Sequence, residues 1–153
     1  MMFRTHLVFA FLIGIIFSFL SQGKIILFFS LLLISAGLPD IDNPKSKFGR
    51  KIKIISWIVN LLFKHRGIFH SLFFVFGISF LGFWFFGEVV FWGLFLGSLS
   101  HLVADSFTLN GISFFYPFKF FTLKGFVKTN GKLEFVIFYF LFIIDILLLI
   151  NLA

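Results

Sequence analysis

The chain has no cysteine, which excludes disulfides, thiolate nucleophiles and sulfur-ligated metal. Any metal it holds must be bound through His, Asp, Glu or backbone oxygen. Charge is also scarce. Only 12% of residues are Asp, Glu, Lys or Arg, against about a quarter in a typical soluble domain. No internal repeat and no low-complexity linker divides the chain, so residues 1–153 read as one membrane-embedded domain.

Apolar residues make up 60% of the sequence, in blocks too long and too uniform for amphipathic helices. The expectation is an all-α, polytopic helical bundle in a membrane. The 30 phenylalanines serve there as lipid-facing bulk. The runs Leu7–Leu20, Ile25–Leu38, Ile68–Phe86, Val89–Val103 and Phe135–Leu152 predict about five transmembrane helices. The first two runs are short and are joined only by Ser21-Gln22-Gly23-Lys24, which suggests a tight hairpin or a re-entrant pair. Arg4 and the first run resemble a secretory signal, but no small-x-small cleavage site follows, so the run reads as a retained span.

Residues 51–64 differ from these runs. Lys53, Ser56, Asn60 and Lys64 recur at helical spacing among Ile52, Ile55, Trp57, Ile58, Leu61 and Leu62. This pattern predicts an amphipathic helix in the membrane surface, with its basic face toward headgroups.

The net charge of +7 is unevenly distributed. With five spans, Arg4, Lys45, Lys47, Arg50, Lys51, Lys53, Lys64, Arg66, Lys119, Lys124, Lys128 and Lys132 share one side, and Lys24 stands alone on the other. The positive-inside rule then puts the N-terminus in the cytoplasm and the C-terminus outside. The basic loops are expected to meet membrane lipids, anionic ones above all; direct nucleic-acid binding is not expected.

The same topology sorts the reactive residues. All four histidines and four of the six acids fall at the cytoplasmic ends of spans. Cheap placement of charge at an interface would favour Lys and Arg there, and would not gather every histidine beside carboxylates. In "SHLVAD", His101 and Asp105 are four apart and share one helical face, so they can bind one ion or each other. In "LPDID", Pro39 ends a helix and Asp40 and Asp42 follow as hard oxygen ligands, or as turn residues. In "HRGIFHS", His65 and His70 reach one site together only if the helix starts near Gly67. Arg66 between them is an anion clamp or a headgroup anchor. Glu134 is a ligand, a general base or a helix N-terminal carboxylate. Asp145, deep in the last run, is expected to be neutral or paired with a serine hydroxyl. Glu88 is ordinary loop solvation.

In order, "THLV", "LPDID", "HRGIFHS", "GSLSHLVADSFTLNGISFFYP" and "NGKLE" resemble the family of membrane-bound metal-dependent hydrolases, also described as LexA-binding, inner-membrane-associated hydrolases. Phe69 departs from the threonine common in that family. The resemblance implies a helical metal-dependent hydrolase of a prokaryotic cytoplasmic membrane. More distantly, the order of His, Asp, His and HxxxD is similar to zinc-dependent phospholipase C and P1 nuclease. That similarity implies metal ligands among His6, Asp40, Asp42, His65, His70, His101 and Asp105, with Asp105 bridging two ions.

The expected cofactor is one or two divalent ions, zinc first and Mn2+ or Mg2+ as substitutes. Arg66 and Glu134 are the expected catalytic groups, and a phospholipid or other phosphoester is the expected substrate. The alternatives are a metal or proton transporter, with ligands near the midplane, and a non-enzymatic membrane adaptor.

Overall fold

The computed structural model describes residues 1–44, 46–51, 53–63, 67–118 and 121–152. Helix α1 (Phe3–Ile16) ends in a 3-10 turn, Ser18–Ser21. Gln22 and Gly23, with φ of 49° and 80°, reverse the chain into α2 (Ile25–Ser35). A 3-10 turn, Pro39–Asp42, prolongs α2 toward the site, with Pro39 at its first position where no N–H is needed. Helices α3 (Lys47–Lys51) and α4 (Lys53–Phe63) follow.

A short 3-10 turn, Ile68–His70, leads into α5 (Leu72–Phe86). Ser71 caps α5, its hydroxyl accepting from the Phe74 N–H. Gly87 alone, with φ of 87°, separates α5 from α6 (Glu88–Ser106). Strands β1 (Ile112–Ser113) and β2 (Thr122–Leu123) pair antiparallel before α7 (Lys132–Leu152). The all-α expectation therefore holds apart from this small hairpin, which folds the aromatic loop back on the end of α6. Val127 N–H donates to Phe107 O and Gly125 N–H to Thr108 O.

Among the described residues, three stretches are long and apolar enough to cross a membrane: Ile25–Asp42, Glu88–Ser106 and Lys132–Leu152. The other two apolar helices, α1 and α5, have 14 and 15 residues. At 1.5 Å per residue they reach only about 21–23 Å, short of a hydrocarbon core of roughly 30 Å. The described residues thus give three helices of spanning length and two shorter apolar ones beside them. Helix α1 also starts earlier than its apolar run, which puts Thr5 and His6 inside it.

Helix α6 is the hub. It runs parallel to α2 in a register that brings Phe28 to Gly93, Leu32 to Gly97 and Ala36 to His101. The glycines let the backbones approach, as small residues do between membrane helices. A Cβ at Gly97 would overlap the Leu32 carbonyl and Ser35 Oγ. Ser35 Oγ donates to Gly93 O at 3.0 Å, and Ser98 Oγ donates to Ser35 O at 3.3 Å.

Helix α5 is antiparallel to α6, with Gly82 against Val90 and Leu94. Helix α1 packs Gly14 on Phe29 and Leu32, and α7 packs mainly on α1. Ala10, Phe28, Leu32, Ala36, Val89 and Leu96 form the main buried core. This arrangement brings the starts of α1, α5 and α7 and the ends of α2 and α6 to one end of the bundle.

Helix α4 is amphipathic, as its periodicity predicts, but part of its polar face turns to the protein. Ile54, Trp57, Ile58 and Leu61 form an exposed stripe, while Ser56 is buried. Asn60 Nδ2 turns inward and donates to Asp42 O at 2.7 Å. Lys53 remains exposed, and Lys64 lies outside the described residues. Asn60 ties the helix to the Asp40–Asp42 turn, Ser56 is buried, and the apolar stripe is what the helix offers outward.

Candidate metal centre

Four elements supply the cluster. His6 comes from the first turn of α1, and Asp40 and Asp42 from the 3-10 turn after α2. His70 comes from the turn before α5, and His101 and Asp105 from successive turns of α6. His6, Asp42, His70, His101 and Asp105 are all buried, none more than 3% exposed. Asp40 is half-buried. Such a set is costly to remove from water unless its members bond one another or an ion.

The outer nitrogens of two histidines are committed. His101 Nδ1–H donates to the Ala36 carbonyl at 2.8 Å, and a carbonyl can only accept. His70 Nδ1 lies 3.0 Å from Asp42 Oδ2 and donates to that carboxylate. Both rings therefore turn Nε2 toward the cluster, the tautomer a metal-binding imidazole needs. His101 Nε2 is buried and has no hydrogen-bond partner among the described residues.

The inner atoms converge. His70 Nε2 is 3.9 Å from Asp40 Oδ1 and 4.0 Å from Asp105 Oδ2. His101 Nε2 is 3.8 Å from Asp40 Oδ1 and 3.9 Å from Asp105 Oδ2. Zinc with bonds of roughly 2.0–2.2 Å spaces tetrahedral donors about 3.3–3.6 Å apart. Two groups have donor atoms within 4.8 Å of one another, Asp40 with His70 and His101, and His6 with His101 and Asp105. Each group pairs two imidazole nitrogens with one hard carboxylate oxygen, a donor set that suits zinc.

His6 stands on the other side of Asp105, its Nε2 3.5 Å from Oδ1, with its ring stacked on His101 at 3.9 Å. Asp105 thus points one oxygen toward His6 and the other toward His70 and His101. A bridging carboxylate has this disposition.

The remaining expectations divide. His65 and Arg66 lie outside the described residues. Asp42 faces His70 Nδ1, so it orients an imidazole in this geometry. Glu134 is fully buried but stands apart from the cluster: its Oε1 accepts the Met2 N–H and its Oε2 the Asn130 N–H. Of its possible roles, the helix N-terminal carboxylate matches these bonds. Asp145 is buried on α7, and its Oδ1 has no hydrogen-bond partner among the described residues, so the expected serine is not found at that oxygen. The amino group of Met1 donates to Asp105 Oδ1.

Sequence reasoning missed the basin over the cluster. A cavity of about 360 Å³ is bounded by Asp40 and Asp105 on the cluster side and by Asn43, Lys47, Arg50 and Asn110 elsewhere. The spacing of Lys47 and Arg50, one helical turn apart on α3, was the available signal. It was hidden among the other basic residues of that loop.

The description "YdjM inner membrane protein" belongs to a family whose model matches residues 1–151. The chain belongs to this family. Among curated relatives it is 38% identical over 85 residues to an uncharacterized protein, YvsG, of Bacillus subtilis (strain 168), covering 55% of this chain and 53% of that one. It is 37% identical over 91 residues to the inner membrane protein YdjM of Escherichia coli (strain K12), covering 56% and 46%, and equally to YdjM of Shigella flexneri. The chain spans about half the length of the curated relatives it matches. No solved structure matches it. Membership in the YdjM inner membrane family, together with the apolar helices, makes this a membrane protein. The family names carry location and no activity.

Proposed function

We propose that the protein is a metal-dependent phosphoester hydrolase acting at the cytoplasmic face of the inner membrane. The observation that carries this reading is the gathering of Asp40, His70 and His101, and of His6, His101 and Asp105, into two groups whose donor atoms lie within 4.8 Å of one another. Asp42 and the Ala36 carbonyl hold the two rings from behind. Asp40, His70 and His101 would hold one divalent ion, and His6 with Asp105 would serve a second. When bound, the metal acts as a Lewis acid and lowers the pKa of a water from about 15.7 toward about 7.

The chain's own residues do the rest. Lys47 and Arg50 on the basin wall neutralise a phosphate drawn in from the aqueous side. Asn43 and Asn110 can orient its oxygens by donating hydrogen bonds. Asp40, the most accessible carboxylate of the cluster, would take a proton from the attacking water through the oxygen that does not hold the ion. That water forms the new bond to phosphorus, the ester bond to the leaving oxygen breaks, and the proton ends on the leaving oxygen. Arg66 and Glu134 are not needed for this assignment. A transporter reading draws less support, since both groups of metal-competent residues among the described residues stand at one end of the bundle.

Metal analysis of detergent-purified protein tests the centre. Wild type should carry about one or two zinc ions per chain, and a His101→Ala, Asp105→Ala double variant should carry none while remaining monodisperse. Equal metal in both proteins would end the assignment.

The orientation rests on the charge imbalance between the two sides. Because the chain lacks cysteine, Lys24→Cys and Lys128→Cys report sidedness directly. An impermeant maleimide added to spheroplasts should label the first and spare the second until lysis. The reverse pattern would invert the topology.

A further inference from the structure

Two cavities meet at Met1, which lines both. One is the polar basin over the cluster. The other is an apolar slot of about 220 Å³ between α1, α6 and α7, walled by Thr5, Phe9, Ala104, Phe107, Ile137 and Leu141. The slot starts beside the cluster, since Thr5 precedes His6 and Ala104 precedes Asp105. From Thr5 it follows α1 to Phe9, about 6 Å further along at 1.5 Å per residue.

Thr5 is the slot's polar feature. It is 1% exposed, and its Oγ1 has no hydrogen-bond partner among the described residues. A helical threonine can return its hydroxyl to a carbonyl three or four residues earlier, yet this one does not. A buried hydroxyl left unmade is a cost that a ligand acceptor would remove. A second apolar cavity, between α2, α5 and α6, is lined by Leu31, Ile78, Gly82, Phe85 and Leu94 among others. It has no polar side chain and shares no wall with the basin, so it fits an ordinary lipid-filled furrow.

We propose that the substrate is a phosphate amphiphile whose phosphate sits in the basin beside Lys47 and Arg50, whose single hydrocarbon chain fills the slot, and whose intervening oxygen accepts from Thr5 Oγ1–H. The basin supplies the positive charge an anionic headgroup requires, and the slot supplies a dry wall for the chain behind it. The role of the basin rests on the hydrolase reading; the slot and the Thr5 hydroxyl do not. Both acyl and isoprenoid chains have this chemistry.

The test uses two photoreactive probes, a lysophosphatidic acid and a prenyl phosphate, each with a diazirine partway along the chain. Cross-links to detergent-purified full-length protein are mapped by peptide mass spectrometry. They should concentrate on α1 and α7 around Phe9, Ile137 and Leu141, and the stronger probe identifies the chain type. Leu141→Trp should cut the yield about tenfold by filling the slot, and Ile137→Phe should cut it less. Metal content should not change in either variant.

Thr5→Val should weaken labelling about three- to tenfold, the loss of one buried hydrogen bond, and Thr5→Ser should restore it. Labelling spread evenly over α5 and α7, or unaffected by both slot variants, would overturn the proposal. If wild type cross-links as expected but cleaves neither tailed nor tail-less esters, the hydrolase reading fails and the slot stands.

Discussion

Helices α6 and α7 are both long and apolar enough to cross a membrane, yet they meet opposite surroundings. Of the membrane-length stretch, 61% is buried in α6 and 11% in α7. Helix α6 carries Gly93, Gly97, Ser98 and Ser100 on faces that touch α2, α5 and α1, and it ends in His101 and Asp105. Helix α7 is walled with Val136, Tyr139, Phe140, Ile143, Leu147 and Ile150, all exposed. Its ties are concentrated at its start, where Glu134 accepts two backbone N–H groups and Arg4 lies 4.5 Å from the Phe135 ring centre. A span that organises a site needs small and polar residues for close contact, whereas a span that meets lipid needs only bulk.

The comparison can be broken most severely at Gly97. Gly97→Val drives a side chain into the α2 backbone and should destabilise the bundle by about 3 kcal/mol. Thermal unfolding in detergent would read the loss, and an unchanged midpoint would mean the helices are not packed this closely. Glu134→Gln attacks the one well-tied end of α7. Replacing a charged acceptor of two N–H donors should cost about 2 kcal/mol, with proteolysis near Met2 and Asn130 rising first. Wild-type resistance there would show that α7 is held by its apolar flank instead.

The smallest effects sharpen the contrast. Ser35→Ala removes one interhelical hydrogen bond to α6 and should cost about 0.6 kcal/mol, typical of such bonds in membranes. Ile143→Leu on the exposed face of α7 should stay within about 0.5 kcal/mol. If unfolding measurements ranked the two in reverse, the assignment of protein-facing and lipid-facing surfaces would be wrong.

The same contrast explains what the sequence could disclose. His101 and Asp105 were legible because one regular helix carries both, and helical spacing is a local property. The gathering of His6, Asp40, His70 and His101 at one end followed from counting apolar runs, even though two of those helices are shorter than a bilayer. The division of labour between Asp40 and Asp42 was not legible. A 3-10 turn aims one carboxylate at the basin and the other at His70 Nδ1, and spacing two apart says nothing about which. Helix α4 was read with the right periodicity, but the inward turn of Ser56 and Asn60 was not legible, since a pattern of polar and apolar residues does not say which side meets the protein. Lys47 and Arg50 were lost among a dozen cations that all served the topology argument equally well.

The Ala36 carbonyl has a consequence for genetics. It fixes the orientation of His101 through a main-chain atom, so every amino acid at position 36 supplies the same acceptor. Substitutions there report only on the space available to a side chain that is fully buried. An alanine scan passes over the position, and a random library marks it as a size constraint. The partner that sets the tautomer of a central imidazole is thus hidden from side-chain mutagenesis. It can be weakened only by rewriting the backbone, for instance with an ester in place of the peptide bond between Ala36 and Gly37.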